Sequence, residues 1–206
     1  MLRNALLLLV LAAPFAAAHE RYAETHSEVH PLASGGTLRL DVAVGDLHIV
    51  KGSDAQNLHM QYTIRASQES GLRDTKVSFR AESDGASIEV HTPFRGNTSV
   101  DIELEIPDPT ALDVHLKVGD LRIEGIHGNK YLEVKVGDIE VSGSGADYRM
   151  VRAHASIGDV TVHPSSEEQT VANYRESGWL GRRLSYNGNG KYDLRAQVSV
   201  GDIEVH

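Results

Sequence analysis

Five times the chain places a Gly-Asp pair between two short apolar strands: Val44-Gly45-Asp46-Leu47-His48-Ile49, Val118-Gly119-Asp120-Leu121-Arg122-Ile123, Val136-Gly137-Asp138-Ile139-Glu140-Val141, Ile157-Gly158-Asp159-Val160-Thr161-Val162 and Val200-Gly201-Asp202-Ile203-Glu204-Val205. A unit this short cannot bury its apolar face alone, so its copies must stack to share a core. The apolar period is two almost throughout, as in Leu38, Leu40, Val42 and Val44, which predicts strands and very little helix. Across each Gly-Asp pair the parity of the inward residues changes, from even (Val42, Val44) to odd (Leu47, Ile49), so the chain must bend there. Gly allows the bend without a Cβ penalty, and Asp can accept from backbone N–H groups around it.

A two-residue hairpin would satisfy the same local pattern. Spacing favours a coil instead. The glycines at 119, 137 and 158 are 18 and 21 residues apart, and the step from 158 to 201 is about two such intervals. The expected fold is therefore all-β, a single-stranded β-helix or solenoid with a coil period of 18–21 residues. The ten turn residues (Gly45, Asp46, Gly119, Asp120, Gly137, Asp138, Gly158, Asp159, Gly201 and Asp202) form its repeated corners.

Residues 1–18 have the layout of an export signal: Arg3, an apolar run from Ala5 to Ala13, then Ala16-Ala17-Ala18 as a cleavage site. The run is too short to span a bilayer, which needs about 20 apolar residues. Residues 19–36 are expected to form an extended polar lead-in and 37–206 the solenoid domain. Within it, Ser165 and Glu168 form a capping-box pattern at the start of a polar helix or ordered loop. The chain has no cysteine, so its stability must come from packing and hydrogen bonds. Its formal net charge is −9, one unit more negative once Arg3 leaves with the signal. That surface argues against nucleic acid as a partner. The expected address is the periplasm or cell surface, with no transmembrane segment after signal removal.

The run Ile106-Pro107, then Leu112 to Gly128 with its Gly119-Asp120 corner, then Gly137-Asp138, resembles a bacterial domain of unknown function that carries an adhesin label. The closing run from Gly188 to Val205 is similar to that family's final coil. The resemblance spans roughly Leu38 to His206. It implies a β-helical or solenoid-like fold on an exported envelope protein, and it offers no catalytic residues to carry over.

Stacked corners would line up Asp120, Asp138 and Asp159, a pattern open to Ca²⁺. Two exposed charges about 4.8 Å apart repel by only about 0.9 kcal/mol in water, whereas a hydrogen bond to a charged group contributes about 1.5–3 kcal/mol. Turn capping therefore suffices, and no metal or cofactor is expected. His26, Glu28 and His30 share one strand face and could hold Zn²⁺ or Cu²⁺, but they read as solvated strand histidines. Arg175, Trp179, Arg182, Arg183 and Tyr186 form a basic and aromatic island in an acidic chain. They are either a partner contact or, through Trp179, a cap over the end of the solenoid. No nucleophile elbow, catalytic cysteine, phosphate loop or zinc protease motif is present, so no enzyme is expected. The leading expectation is a non-enzymatic adhesin-like binding or scaffold module with an envelope protein or glycan as partner. A periplasmic structural or envelope-stress sensory module and a polysaccharide-active β-helix enzyme are the alternatives, and homo-oligomerisation stays open at the strand that ends at His206.

Overall fold

The computed structural model describes residues 22–93, 97–143, 147–163, 174–176 and 181–206, with backbone alone at 174–176 and 186. Alternation at period two becomes strand along nearly all of them. The strands are β1 (Tyr22–Pro31), β2 (Thr37–Val44), β3 (Leu47–Lys51), β4 (Asn57–Ala66), β5 (Lys76–Glu82), β6 (Gly85–His91), β7 (Thr98–Ile106), β8 (Ala111–Val118) and β9 (Leu121–Glu124). They continue as β10 (Lys130–Val136), β11 (Ile139–Ser142), β12 (Tyr148–Ile157), β13 (Val160–Val162), β14 (Tyr174–Glu176), β15 (Arg182–Asn187), β16 (Tyr192–Val200) and β17 (Ile203–Val205). One short helix, α1 (Glu69–Asp74), interrupts them.

The strands form two open sheets that pack on one core. Sheet A runs β1-β4-β7-β3-β9-β11-β17-β13, and sheet B runs β14-β15-β12-β16-β10-β8-β2-β6-β5. Each Gly-Asp pair carries the chain from a strand of sheet B to one of sheet A: β2 to β3, β8 to β9, β10 to β11, β12 to β13 and β16 to β17. In between, the alternating residues pack inward: Leu40, Val114 and Leu132 from sheet B, and Ile49, Ile123 and Val141 from sheet A, are all 0–1 % exposed.

The all-β expectation holds, but a single-stranded β-helix does not describe the molecule. Both sheets are mixed. Their centres are parallel, while β1 pairs antiparallel with β4, β4 with β7, β5 with β6, β14 with β15 and β15 with β12. Nor do the corners stack in chain order. Register places them as 45, 119, 137, 201, 158, with β16 inserted between β10 and β12, so that Val198 lies beside both Val134 and Ala155. Regular spacing counts the residues needed for one passage across both sheets, and any passage of that length fits between any two others. The returning strand takes the inner place, where both of its edges are paired, and leaves the outer side of β12 to β15.

A second correction concerns parity. Alternation places Val44, Val118 and Val200 on the inner face of their strands, but Val44 is only half-buried and Val118 and Val200, with Val136 and Ile157 at the matching positions, stand 43–51 % exposed. The last buried residues before the corners are Leu116, Val134, Ala155 and Val198, so each bend takes four residues rather than two. Tyr22–Pro31 pairs along its whole length with β4 as the edge of sheet A. Strand β17 is flanked by β11 and β13, so the chain's last strand is an inner one. The capping-box pair Ser165 and Glu168 lies outside the described residues, as do the signal and Trp179.

Candidate functional site

Two surfaces concentrate polar chemistry. The first is the row of corners. All five glycines hold φ between +132° and +137°, and an added Cβ on Gly137 would lie 2.0 Å from the carbonyl oxygen of Gly119 in the neighbouring corner. Four of the five aspartates then close the gap to the next passage: Oδ1 of Asp46 accepts from the Asp120 N–H at 3.0 Å, Asp120 from Asp138 at 2.9 Å, Asp138 from Asp202 at 2.7 Å, and Asp202 from Asp159 at 2.7 Å. Asp101 joins the other end by accepting from the Asp46 N–H at 3.3 Å. Arginines terminate the ladder, with Arg182 Nε 3.0 Å from Asp159 Oδ1 and Arg65 paired with Asp101.

Beside this row lies an open groove of about 530 Å³ lined by ladder aspartates together with Glu103, Glu140 and Glu204. One oxygen of each linked Asp is already committed to a backbone N–H, which makes the ladder architecture first. Replacing Asp138 by alanine is expected to cost about 1.5 kcal/mol, the lower end for a hydrogen bond to a charged group, because water can reach the freed N–H of Asp202. Asp138→Asn keeps an oxygen acceptor and should recover most of that stability in urea unfolding. Equal losses for the two variants would show that charge, not the hydrogen bond, matters at the corner.

The second surface is a shallow depression of about 540 Å³ on the outer face of sheet B, lined by Tyr131, Arg152, His154, Arg183, Arg195 and Gln197 over a floor of apolar and small residues. Register builds it. Arg152 on β12 lies directly beside Arg195 on β16, which lies beside Tyr131 on β10, while His154 on β12 lies beside Arg183 on β15. The His154 ring donates from Nδ1 to the carbonyl oxygen of Arg182 at 3.3 Å, which leaves Nε2 on the opposite side of the ring, 3.5 Å from Ser156 Oγ. Among the described residues, no carboxylate pairs with Arg152, Arg183 or Arg195, and none lines the depression.

Directly opposed like charges on neighbouring strands are destabilising. The Arg152 and Arg195 pair is therefore a local cost, in contrast to arginines that face acids, such as Arg39 with Glu82 and Asp84, Arg122 with Glu140 and Arg149 with Asp193.

The structure separates the island expected from the sequence. Arg183 enters the depression, and Arg182 turns to the end of the aspartate ladder. Arg175 and Tyr186 are described by backbone alone, in β14 and β15, and Trp179 lies outside the described residues. Arg152, Arg195, His154 and Tyr131 were not singled out beforehand. The only sequence signal for them was an outward charged residue at matching places in two separate strands.

His26 and His30, expected as solvated strand histidines, are half-buried instead, each stacked on an aromatic ring and set beside a carboxylate of its own strand, Glu24 for His26 and Glu28 for His30. The His26 ring stacks on Tyr62 at 4.8 Å and the His30 ring on Phe79 at 3.9 Å, while Glu28 accepts from the Tyr62 hydroxyl at 3.1 Å.

Among solved structures, a candidate cell adhesion protein from Clostridium sporogenes ATCC 15579 is similar over 88% of this chain and 99% of its own, at 14% identity and a TM-score of 0.49. A candidate adhesin from Bacteroides fragilis NCTC 9343 is similar over 89% of this chain and 97% of its own, at 8% identity and a TM-score of 0.36. No curated protein matches the chain. The family model described as Toastrack DUF4097 matches residues 37–206, which takes in every strand but β1 and every Gly-Asp corner, and the chain belongs to that family.

Proposed function

We propose that this chain is a non-catalytic, exported binding module of the bacterial envelope or cell surface, and that it receives an anionic glycan in the Arg152, Arg183 and Arg195 depression. The carrying observation is an arginine cluster with no carboxylate partner among the described residues, in an otherwise acidic protein. Guanidinium groups offer rigid forks of N–H donors that match carboxylate or sulfate oxygens, and the neighbouring Tyr131 ring supplies a flat surface for a sugar face. An anion placed there would neutralise the opposed charges. Export rests on the signal pattern of residues 1–18, and no helix among the described residues is long and apolar enough to cross a membrane. A non-catalytic role is supported by the lining, which holds no carboxylate to act as acid or nucleophile for glycoside hydrolysis.

A glycan array that contains uronic, sulfated and neutral sugars tests this reading. Binding is expected to anionic members alone, to weaken as salt rises, and to be lost in Arg152→Ala/Arg195→Ala with the melting temperature unchanged or raised. Binding confined to neutral sugars, or undiminished in the double variant, overturns it. Cleavage of a bound glycan would replace the binding role by an enzymatic one.

A scaffold reading has one observation in its favour. Ile157, Val200, Val136 and Val118 stand in register as an exposed apolar row along the corners, suited to packing against an envelope protein or a second copy of the chain. Sedimentation showing a monomer at all concentrations would remove the second copy.

A further inference from the structure

At the far margin of sheet A, β13 and β17 run parallel, with Val162 beside Val205. The next residue of each strand is a histidine. The His163 N–H donates to the Val205 carbonyl at 2.7 Å and the His206 N–H to the Val141 carbonyl at 3.0 Å, so the backbone of both positions is fixed by the sheet. Their rings lie face to face, 5.1 Å between centroids and 5° between planes. Glu204, two residues before His206 and therefore on the same face of β17, brings Oε1 to 3.5 Å from His163 Nε2 and 3.4 Å from His206 Nε2. One ligand atom from each of the three lies within 4.8 Å of the other two, and all three residues are exposed. Among the described residues, this is the one place where three such groups converge.

We propose that His163, Glu204 and His206 form a Zn²⁺ site. Zn²⁺ takes imidazole nitrogens at about 2.0–2.1 Å and carboxylate oxygens at about 2.0–2.2 Å, usually in tetrahedral geometry. Both Nε2 atoms already face one carboxylate oxygen, so small side-chain rotations draw the three donors around a single ion. The fourth position is left to water on the open side. Imidazole and carboxylate together suit Zn²⁺ better than Ca²⁺ or Mg²⁺, which prefer an all-oxygen shell.

The ion would do structural work here. Strand β13 is an edge strand of three residues, and a ligand from it joined to two from β17 would pin that edge to the interior of the sheet. The acidic groove beside the corners shares Glu204 with the trio, which would draw cations toward it. This site does not depend on the anion reading of sheet B.

The test is titration of untagged, metal-stripped chain with ZnCl₂ at neutral pH by calorimetry, paired with thermal melts. Wild type is expected to bind one Zn²⁺ with a rise in melting temperature that chelator reverses. His163→Ala/His206→Ala should abolish that binding. Glu204→Gln, which keeps the side-chain shape, should weaken it at least about tenfold, the scale on which even outer partners of metal ligands register. Because the three side chains are exposed, the metal-free melts of the variants should match wild type. Co²⁺ in place of Zn²⁺ should give the strong visible absorption of a tetrahedral site in wild type alone. Absence of one-to-one binding in wild type overturns the site, and so does equal affinity in wild type and the double histidine variant.

Discussion

Gly137→Ala is expected to lower the melting temperature by on the order of 10 °C, with a loss of roughly 2–6 kcal/mol. Two separate costs combine. A non-glycine residue held in so sparsely populated a backbone region costs about 1–3 kcal/mol, and Gly137 sits at φ +132°. The added methyl would also meet the Gly119 carbonyl oxygen at 2.0 Å, and relieving such a clash in a packed structure typically costs ~1–3 kcal/mol more. That oxygen belongs to the neighbouring corner, so the strain cannot be released without separating two passages of the chain. For a domain of this size, each kcal/mol shifts the midpoint by about 2–4 °C. Gly35→Ala is the control. Its φ of +86° is also unfavourable for alanine, but nothing lies within 4 Å of the added Cβ. Denaturant unfolding of both variants should show a clearly larger loss at Gly137, and equal losses would mean that backbone conformation, not the close approach of corners, holds the row together.

Stability should also rise with pH between about 8 and 10, and the source should be one side chain. Lys130 opens β10 yet is only 3 % exposed, and its ammonium donates to the carbonyls of Ile126 at 2.6 Å and Gly128 at 3.2 Å while lying 5.1 Å from the centre of the Tyr148 ring. Burial lowers its pKa to about 8, a shift that the nearby Asp108 and Asp147 carboxylates partly offset. Asp108 itself is held below the ordinary carboxylate range: burial opposes its ionisation, but hydrogen bonds from Lys51 and His127 outweigh it.

Below pH 8 the lysine is charged in the folded and unfolded states alike, and the full burial cost is present. From there to about 10.4, the unfolded lysine keeps its proton while the folded one has lost it, so stability climbs by at most about 1.4 kcal/mol per pH unit. Above about pH 10 the direction reverses, because unfolded tyrosines ionise there. In the folded protein, burial and the Glu28 carboxylate push Tyr62 up to about 12, and burial pushes Tyr148 up as well. Urea unfolding at pH 7.5, 8.5 and 9.5 should show a gain of roughly 2 kcal/mol that Lys130→Met flattens. The slope is the readout, since the substitution also strips two carbonyls of their donor. An undiminished slope in Lys130→Met would place the titrating group elsewhere.

Lys130 also marks where a reading of the sequence reaches its limit. It stands on the inward parity of Leu132 and Val134, where a lysine is out of place by its charge, and it is tolerated there because the loop from Ile126 to Gly128 turns its carbonyls toward the ammonium. The exposed row of Val118, Val136, Ile157 and Val200 is the converse case. Alternation assigns these residues to the core, but the last buried residues lie two positions before them, and parity has no means of registering where a layer stops.

What the sequence determined by itself is local. Alternation at period two made strands, and each Gly-Asp pair made a bend, because backbone conformation and the facing of neighbouring side chains are set within a few residues. The tertiary structure alone decided which passage lies next to which. Inserting β16 between β10 and β12 placed Arg195 beside Arg152 and moved the 201 corner inside the 158 corner. Pairing β17 with β13 set His206 and Glu204 against His163. These groups are up to 43 residues apart in the chain, and neighbouring strands bring them within about 4.8 Å. Both candidate sites arise from that register, and the register follows from the pairing energy of whole strands, which no window of neighbouring residues contains.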